Sequence, residues 1–184
     1  MSTIIKNVLN KKFVISCIIA LSLGFSFSHL TANAVFLPRW YHSKTIPVSY
    51  SSRLTTPTSR IRVAYSNGMA EWRSTNGINF SVTSGSNNIL TSHNDSASSV
   101  IGRMTATSYS GTRLISFTIS INASHSGITN TNWAKSTATH EFGHVLGLND
   151  RQSGNTSIMS HNRNRTTIHR PQTQDITNVR SLYP

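Results

Sequence analysis

The segment 140–150 constrains this chain more than any other part of its sequence, since it contains the run His140-Glu141-Phe142-Gly143-His144. Residues four apart lie above one another on a helix, so His140 and His144 present two imidazoles to one point, as a metal ion requires. Glu141 lies beside them and can take a proton from a water molecule at the metal without being a ligand. The pattern predicts a helix that carries a metal site and a general base.

The residues after the second histidine predict the end of this helix and a third metal ligand beyond it. Gly147 comes three residues after His144, where a helix that stops and reverses needs a residue tolerant of positive φ. Asp150 then offers a carboxylate that can complete a three-ligand site and leave the fourth tetrahedral position for water. His140, His144 and Asp150 are therefore the candidate ligands, and their chemistry indicates zinc.

Composition excludes several other classes of site. The only cysteine is Cys17, so an internal disulfide and paired-thiol chemistry are excluded. The chain has 17 Lys plus Arg against 5 Asp plus Glu, and such a surface attracts anions. The arginines are scattered rather than gathered on one element, so nucleic acid is not expected. An anionic cell-wall polymer or membrane surface is one candidate partner, and a plain solvated basic surface is equally consistent with the charge.

The first 34 residues have the three parts of an export signal. Lys6, Lys11 and Lys12 precede an apolar run at 13–27, and Ala32-Asn33-Ala34 forms an A-x-A exit. We therefore predict residues 1–34 as a signal peptide and expect a secreted, extracellular protein, with association with the cell wall as an option. An uncleaved membrane anchor stays open, although the apolar run is shorter than the roughly 20 residues needed to span a bilayer.

The remaining chain, 35–184, shows no linker, repeat or break in composition, so we expect one domain of the α+β class. A helix is predicted at 58–74 from apolar residues at spacings of three and four. The clearest strand is 114–122, since Ile115, Phe117, Ile119 and Ile121 alternate with polar residues. Asn132 is the predicted N-cap of the helix that carries the histidines. Further strands are predicted at 46–50, 78–82, 88–92 and 100–105.

These residues resemble the metzincin zinc endopeptidases, whose extended signature is H-E-x-x-H-x-x-G-x-x-H followed by a methionine turn. This chain reads H-E-F-G-H-V-L-G-L-N-D. The matrixin-like branch is the most similar, since Ala70-Glu71-Trp72, Ser157-Ile158-Met159 and the closing segment 175–183 all look like matrixin features. Asp150 stands where most metzincins have a third histidine, and in that respect the site is similar to the snapalysin type.

The resemblance implies a metzincin-like fold. It has a twisted mixed β-sheet, an active-site helix, a second long helix and a short C-terminal subdomain that ends in a helix after Pro171. The upper part would span about 35–147 and the lower part about 148–184. Met159 would pack beneath the metal without binding it. His161 follows the methionine turn, where some metzincins place a metal-contacting tyrosine, so it is a candidate third ligand or a residue that steadies the oxyanion.

The resemblance also implies a secreted zinc metalloprotease with one catalytic ion, Glu141 as its general base and proteins or peptides as substrates. An extended substrate would lie antiparallel to an edge strand, for which Val100, Ile101, Gly102, Arg103 and Met104 are the candidates. Residues 160–168 would form the wall of the side-chain pocket. We expect a monomer with activity at neutral to mildly alkaline pH, because Glu141 and the imidazoles are protonated below about pH 5.

Two further matrixin features are not expected here. Calcium sites need several carboxylates, and only Glu71, Asp95 and Asp175 remain once Glu141 and Asp150 are assigned. His93 with Asp95 is only half of a second, structural zinc site.

Three other functions stay open. A cell-wall-binding protein with an inactive zinc site would bind anionic wall polymer without proteolysis, even as the Glu141→Ala variant. A peptidoglycan amide hydrolase would cut wall peptide rather than casein-like protein. A nucleic-acid binder would lose affinity steeply with salt.

Overall fold

A five-stranded mixed sheet is the frame of the fold in the computed structural model, which describes residues 36–56, 59–152, 154 and 156–184. The strands lie in the spatial order β2-β1-β3-β5-β4. Because β4 is the last strand in this order, it forms one edge of the sheet. It runs antiparallel to β5, whereas the other neighbouring strands are parallel. The strands are β1 (Thr45–Tyr50), β2 (Asn79–Val82), β3 (Ile89–His93), β4 (Gly102–Ser110) and β5 (Arg113–Asn122).

An irregularity in the β4–β5 pair changes which residues of β5 face the core. Of the four alternating apolar residues, Ile115 is 47% exposed, and Leu114 is buried in its place. The pairing of β4 with β5 shifts register between Ala106 and Tyr109. An unpaired residue in a strand reverses which side chains face inward, and this explains why Ile115 faces solvent. The remaining three are buried: Phe117, Ile119 and Ile121.

Among the described residues, three α-helices accompany the sheet: α1 (Arg60–Asn76), α2 (Thr131–Val145) and α3 (Thr173–Leu182). The helix predicted at 58–74 extends to Asn76, and Ser59 caps its first turn. The N-cap of α2 is Asn130 rather than Asn132, because the Asn130 side chain accepts hydrogen bonds from the Asn132 and Trp133 amides. The predicted C-terminal helix after Pro171 is confirmed as α3. Together the elements confirm the α+β class.

Close packing of α1 against α2 fixes the helix that carries the histidines. A side chain on Gly68 would bring its Cβ to 3.0 Å from the Thr139 backbone nitrogen, so the two helices approach closely there. The Trp72 indole donates a hydrogen bond to the Thr139 carbonyl at 2.9 Å, and Trp72 is fully buried. This contact positions the middle of α2 relative to the core, directly before the metal-binding motif.

The predicted signal peptide, 1–34, lies outside the described residues, so that prediction stays a prediction. The division into an upper and a lower part also stays a prediction. Within the part of the chain that is described, no helix is both long enough and apolar enough to cross a bilayer.

Candidate metal centre

Helix α2 brings His140 and His144 together on one side. Their ring centroids lie 4.7 Å apart, with the ring planes at 82° to one another. A hydrogen bond to a main-chain carbonyl also orients each ring. His140 Nδ1 lies 2.9 Å from the Ile158 carbonyl oxygen, and His144 Nδ1 lies 2.8 Å from the Leu148 carbonyl oxygen. A carbonyl oxygen only accepts hydrogen bonds, so Nδ1 carries the proton and Nε2 of each neutral ring presents a lone pair.

The chain reverses after α2 at Gly147. This residue has a φ of +92°, a left-handed conformation that side chains disfavour, and a Cβ there would lie 2.8 Å from the Trp40 Cβ. The Gly147 amide donates to the His144 carbonyl at 3.0 Å and so closes the last turn. The sequence predicted this reversal, and it carries the chain back towards the histidines at Asp150.

Asp150 joins the two histidines in a single cluster. Its Oδ1 lies 3.2 Å from His140 Nε2 and 3.5 Å from His144 Nε2. One ligand atom from each of the three residues lies within 4.8 Å of the others. Asp150 Oδ1 is buried and has no hydrogen-bond partner among the described residues. Two lone pairs and a carboxylate oxygen facing one another repel unless a cation lies between them, so the donors present fit a metal ion.

The pKa shifts of these three groups favour the protonation states that bind metal. Burial lowers the pKa of His140 to about 3 and also lowers the pKa of His144. Burial alone would raise the pKa of Asp150, but the neighbouring imidazoles, with His140 foremost, lower it to about 2. At neutral pH both rings are therefore neutral and the carboxylate is ionised, which is the state that metal binding requires.

Glu141 lies beside the cluster but is not one of the converging donors. Its side chain is buried, with 4% of the residue exposed. It packs against the start of β4, where a Cβ on Gly102 would lie 2.7 Å from Glu141 Oε1. Burial, and then the charge of Asp150, raises the pKa of Glu141 from 4.5 to about 8. A carboxyl group with this pKa can hold a proton or release it near neutral pH.

Comparison with known proteins shows the family. A model of the matrixin peptidases (Peptidase M10) matches residues 39–184. The chain belongs to the matrixin family. Among solved structures, a chain of the GM1-bound form of the ECX AB5 holotoxin is similar, with a TM-score of 0.52 and 15% identity over 77% of this chain and 80% of that one. That similarity concerns the fold alone. No curated protein matches the sequence.

Membership in the matrixin family indicates a zinc-dependent peptidase, and it confirms the predicted resemblance to that family. His140, His144 and Asp150 are the cluster in the described part of this matrixin that could hold the ion. The assignment of Asp150 as a ligand follows from the distances of its Oδ1 to His140 Nε2 and His144 Nε2.

His161 lies at the outer side of the cluster. Its Nε2 is 3.4 Å from Asp150 Oδ2, and its side chain is 50% exposed. The ring centroids of His161 and His140 are 6.4 Å apart. His161 therefore contacts Oδ2 of Asp150, whereas His140 and His144 approach Oδ1. The geometry favours an auxiliary position beside Asp150 over a place among the three converging donors.

The methionine turn of this matrixin lies directly beneath the histidines. Met159 is buried, and a Cβ on Gly143 would come within 3.2 Å of the Met159 Cε. The turn is tied to α3, because Asp175 accepts hydrogen bonds from Ser157 Oγ at 2.5 Å and from the Ile158 amide at 2.9 Å. Ile158 in turn holds the His140 ring. Sequence reasoning assigned no role to Asp175, although its position three residues after Gln172 is the N3 position of a capping box.

The predicted edge strand is present but shifted. Gly102, Arg103 and Met104 belong to β4, whereas Val100 and Ile101 precede it, since the strand runs from Gly102 to Ser110. On the far side of β4 from β5, no other described strand pairs with it. A cleft of about 330 Å³ lies between β4 and the cluster. Its lining residues include Leu37, Pro38, Met104, Ala106, Leu114 and His144.

Proposed function

We propose that this matrixin is a secreted zinc endopeptidase in which His140, His144 and Asp150 hold the metal and Glu141 is the general base. The observation that carries the proposal is the convergence of two Nε2 lone pairs on the unpartnered Asp150 Oδ1, beside a buried glutamate. The snapalysin-type signature, with aspartate as the third ligand, is part of the proposal. Two imidazoles and one carboxylate are a ligand set that zinc accepts.

Zinc, when bound, would supply a Lewis acid that polarises the scissile carbonyl and lowers the pKa of a water molecule. Glu141 would accept the proton of the attacking water and deliver it to the leaving amine. Its burial against Gly102 and Thr137 supports this role, because a rigid, desolvated carboxylate is held where the proton is transferred. As a ligand, Asp150 would leave less positive charge on the metal than a third imidazole would, so the bound water would lose its proton less readily. The reaction would therefore depend more on Glu141 as the proton acceptor.

The free edge of β4 supports an extended mode of substrate binding. A peptide added to this edge would form main-chain hydrogen bonds and leave its side chains to enter neighbouring pockets. In the antiparallel direction, the residues before the scissile bond would lie at the cleft near Ala106 and Leu114. The residues after it would lie near Gly102 and the first turns of α2.

Secretion rests on the sequence of residues 1–34 and is part of the proposal. Export would place the basic protein next to anionic wall polymers or membrane surfaces, where its charge favours association. We expect the mature protein to act as a monomer without a dedicated calcium requirement.

The decisive experiment measures cleavage of a peptide library and of casein by residues 35–184, with and without a chelator. The Glu141→Gln variant should retain zinc and lose about 100- to 10,000-fold in kcat/KM, which is the range for a general base. Glu71→Gln is the matched control, since Glu71 forms an ion pair with Lys135 on the helices and should leave kcat/KM unchanged. Cleavage that survives chelation, or that survives in Glu141→Gln, contradicts the proposal. Cleavage of wall peptide but not of protein would favour a peptidoglycan amide hydrolase.

A further inference from the structure

Two arginines of the loop 160–168 lie against the first half of α2. Arg163 is buried, with 5% exposed, and donates hydrogen bonds to Ser136 Oγ at 3.0 Å and to the Ser160 carbonyl at 2.8 Å. The Arg165 guanidinium carbon lies 5.6 Å from the centre of the Trp133 ring, within reach of a cation–π contact. Both cations therefore lie on the side of the cluster where α2 begins.

The described part of the chain provides neither arginine with a carboxylate partner within 4 Å. Glu71 pairs with Lys135, and Asp175 accepts from Ser157 and the Ile158 amide. The Arg165 Nε is buried and makes no hydrogen bond to a described residue. A guanidinium that is partly removed from water and has no counter-ion is unfavourable, so this half-buried position favours an anion that arrives from outside.

The nearest negative charges already have other assignments. Arg163 and Arg165 both interact electrostatically with Glu141 and Asp150, and Arg163 also interacts with Asp175, whose carboxylate accepts hydrogen bonds from Ser157 and the Ile158 amide. With a divalent ion between the ligands, those two carboxylates are balanced, and the two guanidinium groups remain as excess positive charge. Burial, followed by the charge of Arg165, lowers the pKa of Arg163 to about 9, so Arg163 stays a cation at neutral pH.

The direction of the substrate decides which of its residues meets these arginines. Strand β4 starts at Gly102, which contacts Thr137 and Glu141, and it reaches Ala106 at the cleft that His144 also lines. From Gly102 to Ala106, β4 therefore runs in the same direction as α2 does from Thr137 to His144. A peptide antiparallel to β4 passes the cleft first and then the start of α2, where Trp133 and Ser136 hold the arginines.

We propose that Arg165, supported by Arg163, recognises an acidic side chain at one of the two substrate positions after the scissile bond. The inference rests on the proposed function and adds the substrate class to it. A carboxylate there would accept charge-assisted hydrogen bonds from a guanidinium that the fold leaves without an ionic partner. Arg163 is a positioning residue, because its hydrogen bonds to Ser136 and Ser160 hold the loop that carries Arg165.

The test compares long peptides with amidated C-termini that differ only in Glu, Gln or Lys at these two positions. Zinc-loaded protein should cleave the Glu peptide with a kcat/KM about tenfold or more above that of the Gln peptide. Arg165→Gln should reduce this ratio to less than about threefold, and Arg165→Glu should invert the preference towards Lys. The control Arg60→Gln removes a charge at the exposed first residue of α1 and should leave the ratio unchanged.

Inversion by Arg165→Glu is a result that a purely structural role would not produce. Equal cleavage of the Glu and Gln peptides by the native protein overturns this inference and leaves the proposed function standing. The same holds if the preference for Glu persists in Arg165→Gln. If the native, zinc-loaded protein cleaves none of the peptides, the proposed function fails and this inference fails with it.

Discussion

The helical wall of the metal centre, formed by His140, Glu141 and His144, obtains its spacing from one regular element. The loop wall, formed by Asp150, Met159 and His161, obtains its position from contacts with distant parts of the chain. The reversal at Gly147 that leads to Asp150 packs closely against the distant Trp40, and Met159 lies in a turn that Asp175 holds. The two walls are thus built by local and by long-range interactions, respectively.

The two walls also depend on each other. Carbonyl groups from Leu148 and Ile158, both beyond the helix, accept hydrogen bonds from the Nδ1 atoms of His144 and His140. The helix therefore fixes where the imidazoles are, and the loop fixes how they are turned. Loss of either histidine of the helical wall should weaken metal binding most, whereas a change in the supports of the loop wall should weaken it less.

The largest effect is expected for His144→Ala in the helical wall. The substitution removes one of the three donors to the metal. Substitution of a residue that only hydrogen-bonds to a ligand lowers metal affinity by about 10- to 100-fold, and the loss of zinc affinity in His144→Ala should be larger. Competition with a chromogenic chelator measures this affinity. His42→Ala, an exposed histidine outside the cluster, should bind zinc as the native protein does. Equal affinities of the native protein and His144→Ala would remove the helical wall from the metal site.

Asp175→Asn tests the support of the loop wall. One oxygen of Asp175 accepts a hydrogen bond from Ser157 Oγ and the other accepts one from the Ile158 amide. In asparagine one of these oxygens becomes an NH₂ group, which only donates hydrogen bonds, so one buried donor loses its acceptor. We expect the free energy of unfolding of the zinc-free protein to fall by about 1 to 3 kcal/mol in urea titrations. Zinc affinity should fall less than in His144→Ala. Asp95→Asn, at an exposed loop, is the control, and an equal loss in both variants would contradict the account.

Removal of zinc should reveal the buried charge of Glu141 as a pH dependence of stability. The pKa of Glu141 is raised from its ordinary 4.5 to about 8 in the folded protein. Between pH 4.5 and 8, the folded state therefore keeps the Glu141 carboxyl group protonated, whereas the unfolded state releases the proton. The stabilisation is complete below pH 4.5 and is lost as the pH rises through 8. Relative to Glu141→Gln, the native zinc-free protein should lose about 1 to 2 kcal/mol of unfolding free energy between pH 6.5 and 8. A constant difference between the two proteins would contradict the burial of this carboxyl group.

The smallest effect is expected for His161→Gln. Its half-exposed ring contacts the outer oxygen of Asp150, so kcat/KM should change by less than about threefold. Steady-state kinetics on the zinc-loaded protein measure this. A loss of 100-fold or more would make His161 a ligand or a catalytic residue and would transfer part of the role of Asp150 to it.

The helical wall could be predicted from sequence because the i, i+4 spacing of His140 and His144 determines their geometry once a helix is assumed. Gly147 was predictable for a similar reason, since few residues other than glycine tolerate positive φ. The metzincin resemblance came from the same local motif and the methionine turn, and its matrixin-like character came also from Ala70-Glu71-Trp72 and the closing segment 175–183. The family match over residues 39–184 confirms it.

Features that depend on pairing between distant segments were harder to predict. The exposure of Ile115 follows from a register shift against β4, and no pattern within 114–122 signals it. The true start of the edge strand at Gly102 and the N-cap at Asn130 are likewise set by contacts that the linear sequence does not contain. Arg163 and Arg165 beside α2 were part of a predicted pocket wall, but only the fold shows that neither has a carboxylate partner among the described residues.

The most direct test of the account is the zinc content of folded, chelator-stripped and reconstituted protein, measured by elemental analysis beside the Asp150→Ala variant. The account predicts one zinc ion per native chain and weakened retention of zinc in Asp150→Ala during dialysis. A native protein that folds and yet retains no stoichiometric zinc would contradict the claim that His140, His144 and Asp150 form a metal centre.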